Sequence, residues 1–268
     1  MTFTPSSPSL PPSSPGSPPA SSAGSAAVAE PPLLTLFVAC YNEEENIEAT
    51  LDTVSAACTE LQITYEMIVI DDGSRDRSVE LVRSYMERYP ERNVRLVVNA
   101  ENQGLGVNYV EAAFLGRGEW YRLICGDNVE PKETFVKVFS HIGKADLIIP
   151  YQTACPGRPW SRVLLSRAYT LLVNCISGYD IRYYNGLCLT RRQLVMRWHP
   201  SSHGFGIQAD LVTRLLSRGV SYLEVPVEAR ERATGTSKAI TLRNFCSVAH
   251  SLLNIAIRRI SKIVYGRC

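Results

Sequence analysis

The sequence predicts an α/β fold: a parallel β-sheet covered by helices on both faces. Two observations carry that prediction. Short runs rich in Val, Ile, Leu, Phe and Tyr recur at regular intervals from residue 33 onward, with helix-patterned segments between them. Those runs are apolar almost continuously rather than alternately, as strands buried on both faces must be. Size agrees: 268 residues, 45% hydrophobic and 20% charged, suffice to bury a sizeable core in one large domain or two small ones.

Residues 1–30 are mostly Pro, Ser, Ala and Gly. Such a composition buries too little apolar surface to offset the entropy of ordering, so a disordered tail is expected. It has neither the charged start nor the apolar stretch of a secretory signal. LLTLFVAC (33–40) is the first strand. A helix over 43–61 follows, with Asn42 as its cap and Glu43, Glu44 and Glu45 in the first turn, where carboxylates suit the helix dipole. YEMIVID (65–71) is the second strand; Gly73 turns the chain and Ser74 or Asp76 caps a helix over 76–89. VRLVVN (94–99) leads into a helix over 104–115, and WYRLIC (120–125) into one over 131–142 that Pro131 opens. ADLIIPY (145–151) is a fifth strand.

Residues 239–268 contain no Asp or Glu. Leu242, Phe245, Ala249, Leu252, Leu253, Ala256 and Ile260 recur there at helical spacing, and Arg243, Arg258, Arg259, Lys262 and Arg267 supply charge. This basic amphipathic helix can lie in a membrane interface, pack on the preceding domain or make an oligomer contact; interfacial binding is the favoured reading.

Several classes are set aside. A net charge of +2 is too small to argue for a nucleic-acid partner. The eight cysteines are scattered and never form CxxC, so reduced thiols in a cytoplasmic compartment are expected rather than zinc or disulfides. No uncharged apolar run is long enough to span a bilayer. Gly104 and Gly106 are followed by Asn108 and Tyr109, not by the third glycine of a dinucleotide loop, which removes the main support for hydride chemistry.

In parallel sheets ligands bind beyond the carboxyl ends of the strands. Three of those ends are acidic here. Asp71 and Asp72 emerge together from an apolar strand, where they repel each other unless something polar meets them. Asp71 is read as an acceptor for the donors of a base or ribose; Asp72 serves equally well as a helix cap. Tyr41 and Glu43 are either local helix chemistry or further base and ribose contacts. Asp127 is a single carboxylate after the fourth strand, with Cys125 where a metal clasp would offer another acidic oxygen. Together the ends form a patch suited to a nucleotide and a cation.

The segments YNEEENI, IDDGS, NQGLG, GDNVEP, WSRVLLSR (160–167), YDIRYYNG (179–186), FGIQAD (205–210) and RATGTSK (232–238) stand in an order that resembles glycosyltransferase family 2. More narrowly they look like its polyprenyl-phosphate branch, the dolichol-phosphate mannosyltransferase-like enzymes. Over residues 31–238 the resemblance implies a GT-A fold, a Rossmann-like, mixed and mostly parallel sheet. It implies a nucleoside-diphosphate sugar donor, Mg²⁺ or Mn²⁺, and inversion of the anomeric centre. Tyr41, Glu43 and Asp71 match base and ribose contacts, and Asp127 matches the second acidic residue of the family's Asp-x-Asp motif. Cys125 replaces the first, and a thiol is a poor ligand for a hard cation, so Asp127 would act with substrate phosphates and waters. Gln208 fits a polar contact to the donor phosphates. Arg232, Ser237 and Lys238 fit a lid loop that stabilises the departing diphosphate. Arg162 and Arg167 fit contacts to a lipid phosphate, although five residues put them about 140° apart on a helix. Arg158 is the remaining substitute for a further family arginine, and Tyr183, Tyr184 and Asn185 reshape the acceptor region. Asp210 is left open as a base, a second metal contact or a helix-face residue.

The expected activity is transfer of a sugar to a polyprenyl phosphate by a protein peripheral on the cytoplasmic face of a membrane, with Asp127, Asp210, Arg232 and Lys238 carrying the chemistry. One rival moves the sugar to a saccharide or small-molecule hydroxyl with Asp210 as base. Another, motivated by Cys125, binds a nucleotide sugar without catalysis.

Overall fold

The computed structural model describes residues 30–154, 160–198, 206–228 and 242–266. Pro31–Cys268 forms one compact unit. The strands β1 (Leu34–Cys40), β2 (Tyr65–Asp71), β3 (Val94–Val98), β4 (Trp120–Cys125), β5 (Leu147–Ala154), β6 (Leu189–Arg191) and β7 (Tyr222–Glu228) make one sheet in the order β3-β2-β1-β4-β6-β5-β7. All run parallel except β6, which is antiparallel to β4 and β5 on either side. The helices are α1 (Ile47–Glu60), α2 (Ser78–Arg88), α3 (Leu105–Leu115), α4 (Lys132–Phe139), α5 (Trp160–Ser177), α6 (Arg192–Met196), α7 (Ile207–Ser217) and α8 (Leu242–Tyr265).

Each sheet face has its own core. Phe37, Ile70 and Leu123 pack with Tyr109 of α3, Leu211 of α7 and Trp198 on one side. Val38, Val69 and Ile124 pack with Leu51 of α1 and Phe135 of α4 on the other. Every such side chain contributes roughly 1.5–3 kcal/mol on burial. Double coverage is why the strands read as unbroken apolar runs.

All five strands and four intervening helices expected from the sequence are present. β6 was not expected because it has only three residues, and β7 because Pro226 and Glu224 break its apolar run. Proline is tolerated in β7 because that strand forms an edge of the sheet, where an unpaired backbone position costs little.

α8 packs against α5 and α7, burying Ser251 and Ile255. Among the described residues, eleven of the sixteen exposed large apolar side chains lie on these two outer helices. Five are on α5, among them Trp160, Leu164 and Leu171, and six on α8, among them Leu253, Ile257 and Ile260. No helix among the described residues is long and apolar enough to cross a membrane.

At the other end of the sheet a buried carboxylate gathers donors. Glu66 accepts hydrogen bonds from the Thr35 hydroxyl at 2.7 Å, the Gly118 N–H at 3.2 Å, and the Arg117 N–H and side chain. Burial alone pushes the Glu66 carboxyl up, and these hydrogen bonds outweigh it, holding it below its ordinary value. The stabilisation is therefore complete above the unfolded value of 4.5 and is lost as pH falls through the lower folded value. Glu66→Gln is expected to lose about 2 kcal/mol. Its melting-temperature deficit against the native chain is expected to be constant near neutrality and to shrink in acid, as thermal unfolding across a pH series will show.

Candidate active site

Register brings the acidic strand ends together. Cys40 pairs with Asp71 across β1 and β2, and Ala39 with Cys125 across β1 and β4. With strands about 4.8 Å apart, Asp71, Tyr41 and the Asp127 loop share roughly 10 Å of sheet edge.

The loops at this edge are laced to one another. The Asn42 N–H donates to Ser74 Oγ at 2.8 Å, and Asn42 Oδ1 accepts the Arg75 N–H at 2.8 Å. The Glu43 N–H donates to Ser78 Oγ at 2.9 Å and the Glu44 N–H to Asp76 Oδ2 at 3.1 Å. Asn42, expected to cap the first helix, thus does not: its backbone is left-handed (φ 56°), its side chain serves the neighbouring loop, and α1 starts only at Ile47. Asp76, not Ser74, serves the start of α2, accepting the Ser78 N–H at 3.0 Å. Glu43 accepts from Asn46 Nδ2 at 3.3 Å, and Tyr41 stays 43% exposed on the rim.

Asp72 caps a helix across the sheet edge rather than the one that follows it. Its carboxylate accepts the backbone N–H of Gln103 at 2.8 Å and of Gly104 at 3.0 Å, at the start of α3, and Asn99 Nδ2 at 2.9 Å. Burial pushes this carboxyl up, but bonds from Asn108, Asn99, Gln103 and Gly104 hold it below its ordinary value. Gly73 makes the turn with φ 78°, its α-carbon against the backbone of Glu101 and Asn102, where a Cβ would come within 3.2 Å.

Asp71 is treated differently. It is 1% exposed, and Oδ1 accepts the Ser74 N–H at 2.9 Å. Oδ2 is buried and has no hydrogen-bond partner among the described residues. Such an oxygen costs one to several kcal/mol unless a donor meets it. An acceptor of this kind suits the N–H of a base or the hydroxyl of a ribose. Beside it, burial and the Asp71 charge push the Cys40 thiol up to about 12.

The Asp127 loop is held from both sides. Gly126 donates to the Ala39 carbonyl at 2.9 Å and approaches it so closely that a Cβ would lie 2.8 Å from that oxygen. Asn128, left-handed at φ 51°, accepts from Thr53 Oγ1 at 3.1 Å. Among the described residues no group of three or more His, Cys, Asp or Glu could hold a metal ion. The donor set therefore fits a cation shared between Asp127 and a substrate's phosphates, not one caged by protein.

Sequence reasoning missed a buried ion pair behind this loop. Arg122, wholly buried, reaches Glu130 Oε1 at 2.5 Å, donates from Nε to the Leu187 carbonyl at 3.0 Å and lies over the Phe135 and Phe139 rings. Burial raises the Glu130 carboxyl, partly opposed by Arg122. The signal was an arginine inside the apolar run WYRLIC.

On the other side of the site, α5, the end of β5 and residues 181–183 enclose a groove of about 430 Å³. Arg167 lines it with Gln152, Thr153, Ser166 and Asn174, as does Arg182, which the sequence did not single out. Arg162 is exposed on α5 and does not line the groove. Tyr183 lines it, whereas Tyr184 is buried and donates to Asn174 Oδ1 at 2.8 Å. Gln208 is 4% exposed, and neither of its amide atoms has a hydrogen-bond partner among the described residues. Asp210 is paired: Arg258 Nη1 lies 2.6 Å from Oδ1, and Trp198 Nε1 donates to Oδ2 at 3.1 Å. Arg158, Arg232, Ser237 and Lys238 lie outside the described residues.

Comparison with known proteins meets this geometry. The family model for glycosyl transferase family 2 matches residues 35–201. The chain is 28% identical over 225 residues to a polyprenol monophosphomannose synthase of Mycolicibacterium smegmatis, covering 79% of this chain and 83% of that protein. It is 26% identical over 242 residues to a dolichyl-phosphate β-glucosyltransferase of Trichomonas vaginalis, covering 83% and 70%. Among solved structures, glucosyl-3-phosphoglycerate synthase of Mycobacterium tuberculosis superposes with TM-score 0.65 at 18% identity over 84% of this chain and 80% of that one. A mannosyltransferase of Pyrobaculum calidifontis, solved with GDP-Man and Mn²⁺, superposes with TM-score 0.57 at 17% identity over 90% and 77%. A mostly parallel sheet with one reversed strand, edged by carboxylates at its strand ends, is thus the GT-A fold, and the chain is a glycosyltransferase belonging to glycosyl transferase family 2.

Proposed function

We propose that this glycosyltransferase moves a sugar from a nucleoside-diphosphate sugar to a polyprenyl phosphate at a membrane surface, inverting the anomeric centre. The observation that carries the reading is the state of Asp210. Its carboxylate is occupied by Arg258 and Trp198, so it is poorly placed to take a proton from an acceptor hydroxyl. A phosphate acceptor is already anionic and needs no base. The relatives named for polyprenol and dolichyl phosphate point the same way.

In this reading Asp71 Oδ2 accepts from the base or ribose, with Tyr41 and Glu43 beside it on the rim. Asp127 holds the diphosphate end of the donor together with Mg²⁺ or Mn²⁺, which, when bound, offsets charge on the leaving group. Gln208 offers its amide to the phosphates, and Arg232, Ser237 and Lys238 supply further cationic and polar contacts to them. The acceptor phosphate enters the groove of Arg167 and Arg182, with Arg162 at its approach. Its oxygen bonds to the anomeric carbon as the bond from that carbon to the diphosphate oxygen breaks, and no proton has to leave.

The outer face of α5 and α8 supports membrane contact. Leu253, Ile257, Ile260 and Val264 fall at helical spacing on one exposed stripe. Among the described side chains of α8, Arg258 pairs with Asp210, Lys262 Nζ donates to the Ser217 carbonyl at 3.2 Å, and the Arg259 guanidinium reaches the space where Gly178 lacks a side chain. The exposed stripe itself is apolar, with exposed Arg259 and Lys262 on the same helix and exposed Arg162 and Arg167 on α5. The free thiols of Cys40, Cys58, Cys175 and Cys188 suit a reducing, cytoplasmic side.

Release of UDP or GDP from its sugar conjugates, measured with Mn²⁺, is expected to rise when a polyprenyl phosphate is added, and Asp127→Asn to lower it roughly 100-fold. Donor binding without lipid-stimulated release would instead favour a hydroxyl acceptor or a binding protein. Sedimentation with neutral phosphatidylcholine vesicles is expected to be nearly equal at about 0.1 M and about 1 M salt, where the screening length falls from ~10 Å to ~3 Å. Ile257→Glu with Ile260→Glu is expected to abolish it, and binding that collapses with salt would contradict apolar seating.

A further inference from the structure

We propose that Arg258 is a positioning residue for the transfer, the link through which α8 holds the first turn of α7 and its Gln208 in place. The inference rests on the transferase reading above and adds to it a role for the C-terminal helix inside the active site.

Asp210 lies on the first turn of α7 and is 1% exposed. A carboxylate so buried stays charged only if partners replace its water. Two segments supply them. Arg258, from the middle of α8, places Nη1 2.6 Å from Oδ1, and its Nη2 donates to Thr213 Oγ1 at 3.1 Å, one turn further along α7. The guanidinium thus grips two consecutive turns of the same helix. Trp198, at the end of α6, donates its indole N–H to Oδ2, and its ring packs edge-on against Tyr109 of α3, 5.9 Å between centres. One carboxylate therefore joins α6, α7 and α8.

Two residues before Asp210, Gln208 has both amide atoms buried without a hydrogen-bond partner among the described residues. The Tyr169 hydroxyl of α5 is in the same state, and the Asp210 charge adds to the burial that pushes it up. Asp210 Oδ1 also lacks a hydrogen bond of good geometry among the described residues, but its charge is met by the Arg258 guanidinium at 2.6 Å. Gln208 and Tyr169 are desolvated and unspent, as groups awaiting a polar ligand are, whereas Asp210 is spent on the scaffold. Moving α7 moves Gln208, and what fixes α7 from outside is α8. The exposed stripe of α8 passes beside the link, at Ile257 and Ile260, so seating that stripe in a bilayer also steadies Arg258. A transferase whose acceptor is a membrane lipid gains a site that is best ordered where the acceptor is.

A charge-deletion cycle tests the link. Arg258→Gln leaves a buried carboxylate unpaired; it is expected to lower Tm and to cut kcat with vesicle-borne acceptor by about tenfold or more, with little change in KM for the donor. Removing the second charge, in Arg258→Gln with Asp210→Asn, is expected to recover most of both losses, and Arg258→Lys to recover part, since an ammonium keeps the charge but not the fork to Thr213. Two results would overturn the proposal. In one, Asp210→Asn is inactive with an unchanged Tm and the double variant is not rescued, which makes Asp210 a base. In the other, Arg258→Gln alters only vesicle partition and adds independently to Asp210→Asn, which makes Arg258 a lipid contact. If the unaltered chain transfers to no polyprenyl phosphate, the acceptor reading fails by itself. The link is then decided by Tm and by hydrogen exchange of the α8 amides: non-additive losses sustain it and additive ones refute it.

Discussion

A carboxylate cannot be buried at the end of an apolar strand without donors, and the site grows from how β2 meets that demand twice in succession. Asp72 is fully occupied: backbone N–H groups at the start of α3 and the Asn99 amide surround it. That occupation pins the β3–α3 loop against β2 and lets Gly73 turn closely past it. Asp71 keeps one buried oxygen without a donor among the described residues. The lacing of the β1–α1 loop to the β2–α2 loop, and of Gly126 to β1, then sets Tyr41, Glu43 and Asp127 around that oxygen. The donor half of the site is thus made of strand ends and their loops.

The helical side of the site follows a different economy. α5 lines the groove of Arg167 and Arg182, and α8 braces α7 through Arg258 and Asp210. Between the halves, Arg122 connects Glu130, which ends the Asp127 loop, to the Leu187 carbonyl beside the acceptor-side segment. A buried ion pair of this kind is weak support for stability, because desolvation offsets much of its attraction. Its value lies in fixing where two loops stand relative to each other.

The sequence made the donor half legible for a physical reason. Strands buried on both faces leave an unmistakable apolar signature, and acidic residues at their ends have no structural excuse, so Asp71, Asp72 and Asp127 stood out. Their individual duties did not. Asp72 looked like a cap for its own helix, yet it caps α3 across the edge, and Asn42 looked like a cap but serves a neighbouring loop. Both depend on tertiary contacts that local spacing does not encode. β6 is too short for any periodicity, and β7 hides behind Pro226, which only an edge position permits. In the second half, helical spacing marked Arg162 and Arg167 alike, while only Arg167 faces the groove. The basic character of residues 239–268 suggested contact with a membrane interface; folding turns Arg258 inward to Asp210 and leaves an apolar stripe exposed on the same helix as the exposed Arg259 and Lys262. Composition records which charges a helix carries, not which way they turn.

The unspent oxygen of Asp71 is the point from which the donor site is argued, and a crystal structure with a bound nucleoside diphosphate and Mn²⁺ tests it most directly. The account predicts a base N–H or ribose hydroxyl within hydrogen-bonding distance of Asp71 Oδ2 and the diphosphate beside Asp127. A nucleotide bound elsewhere, with Asp71 Oδ2 satisfied from within the protein, would contradict it.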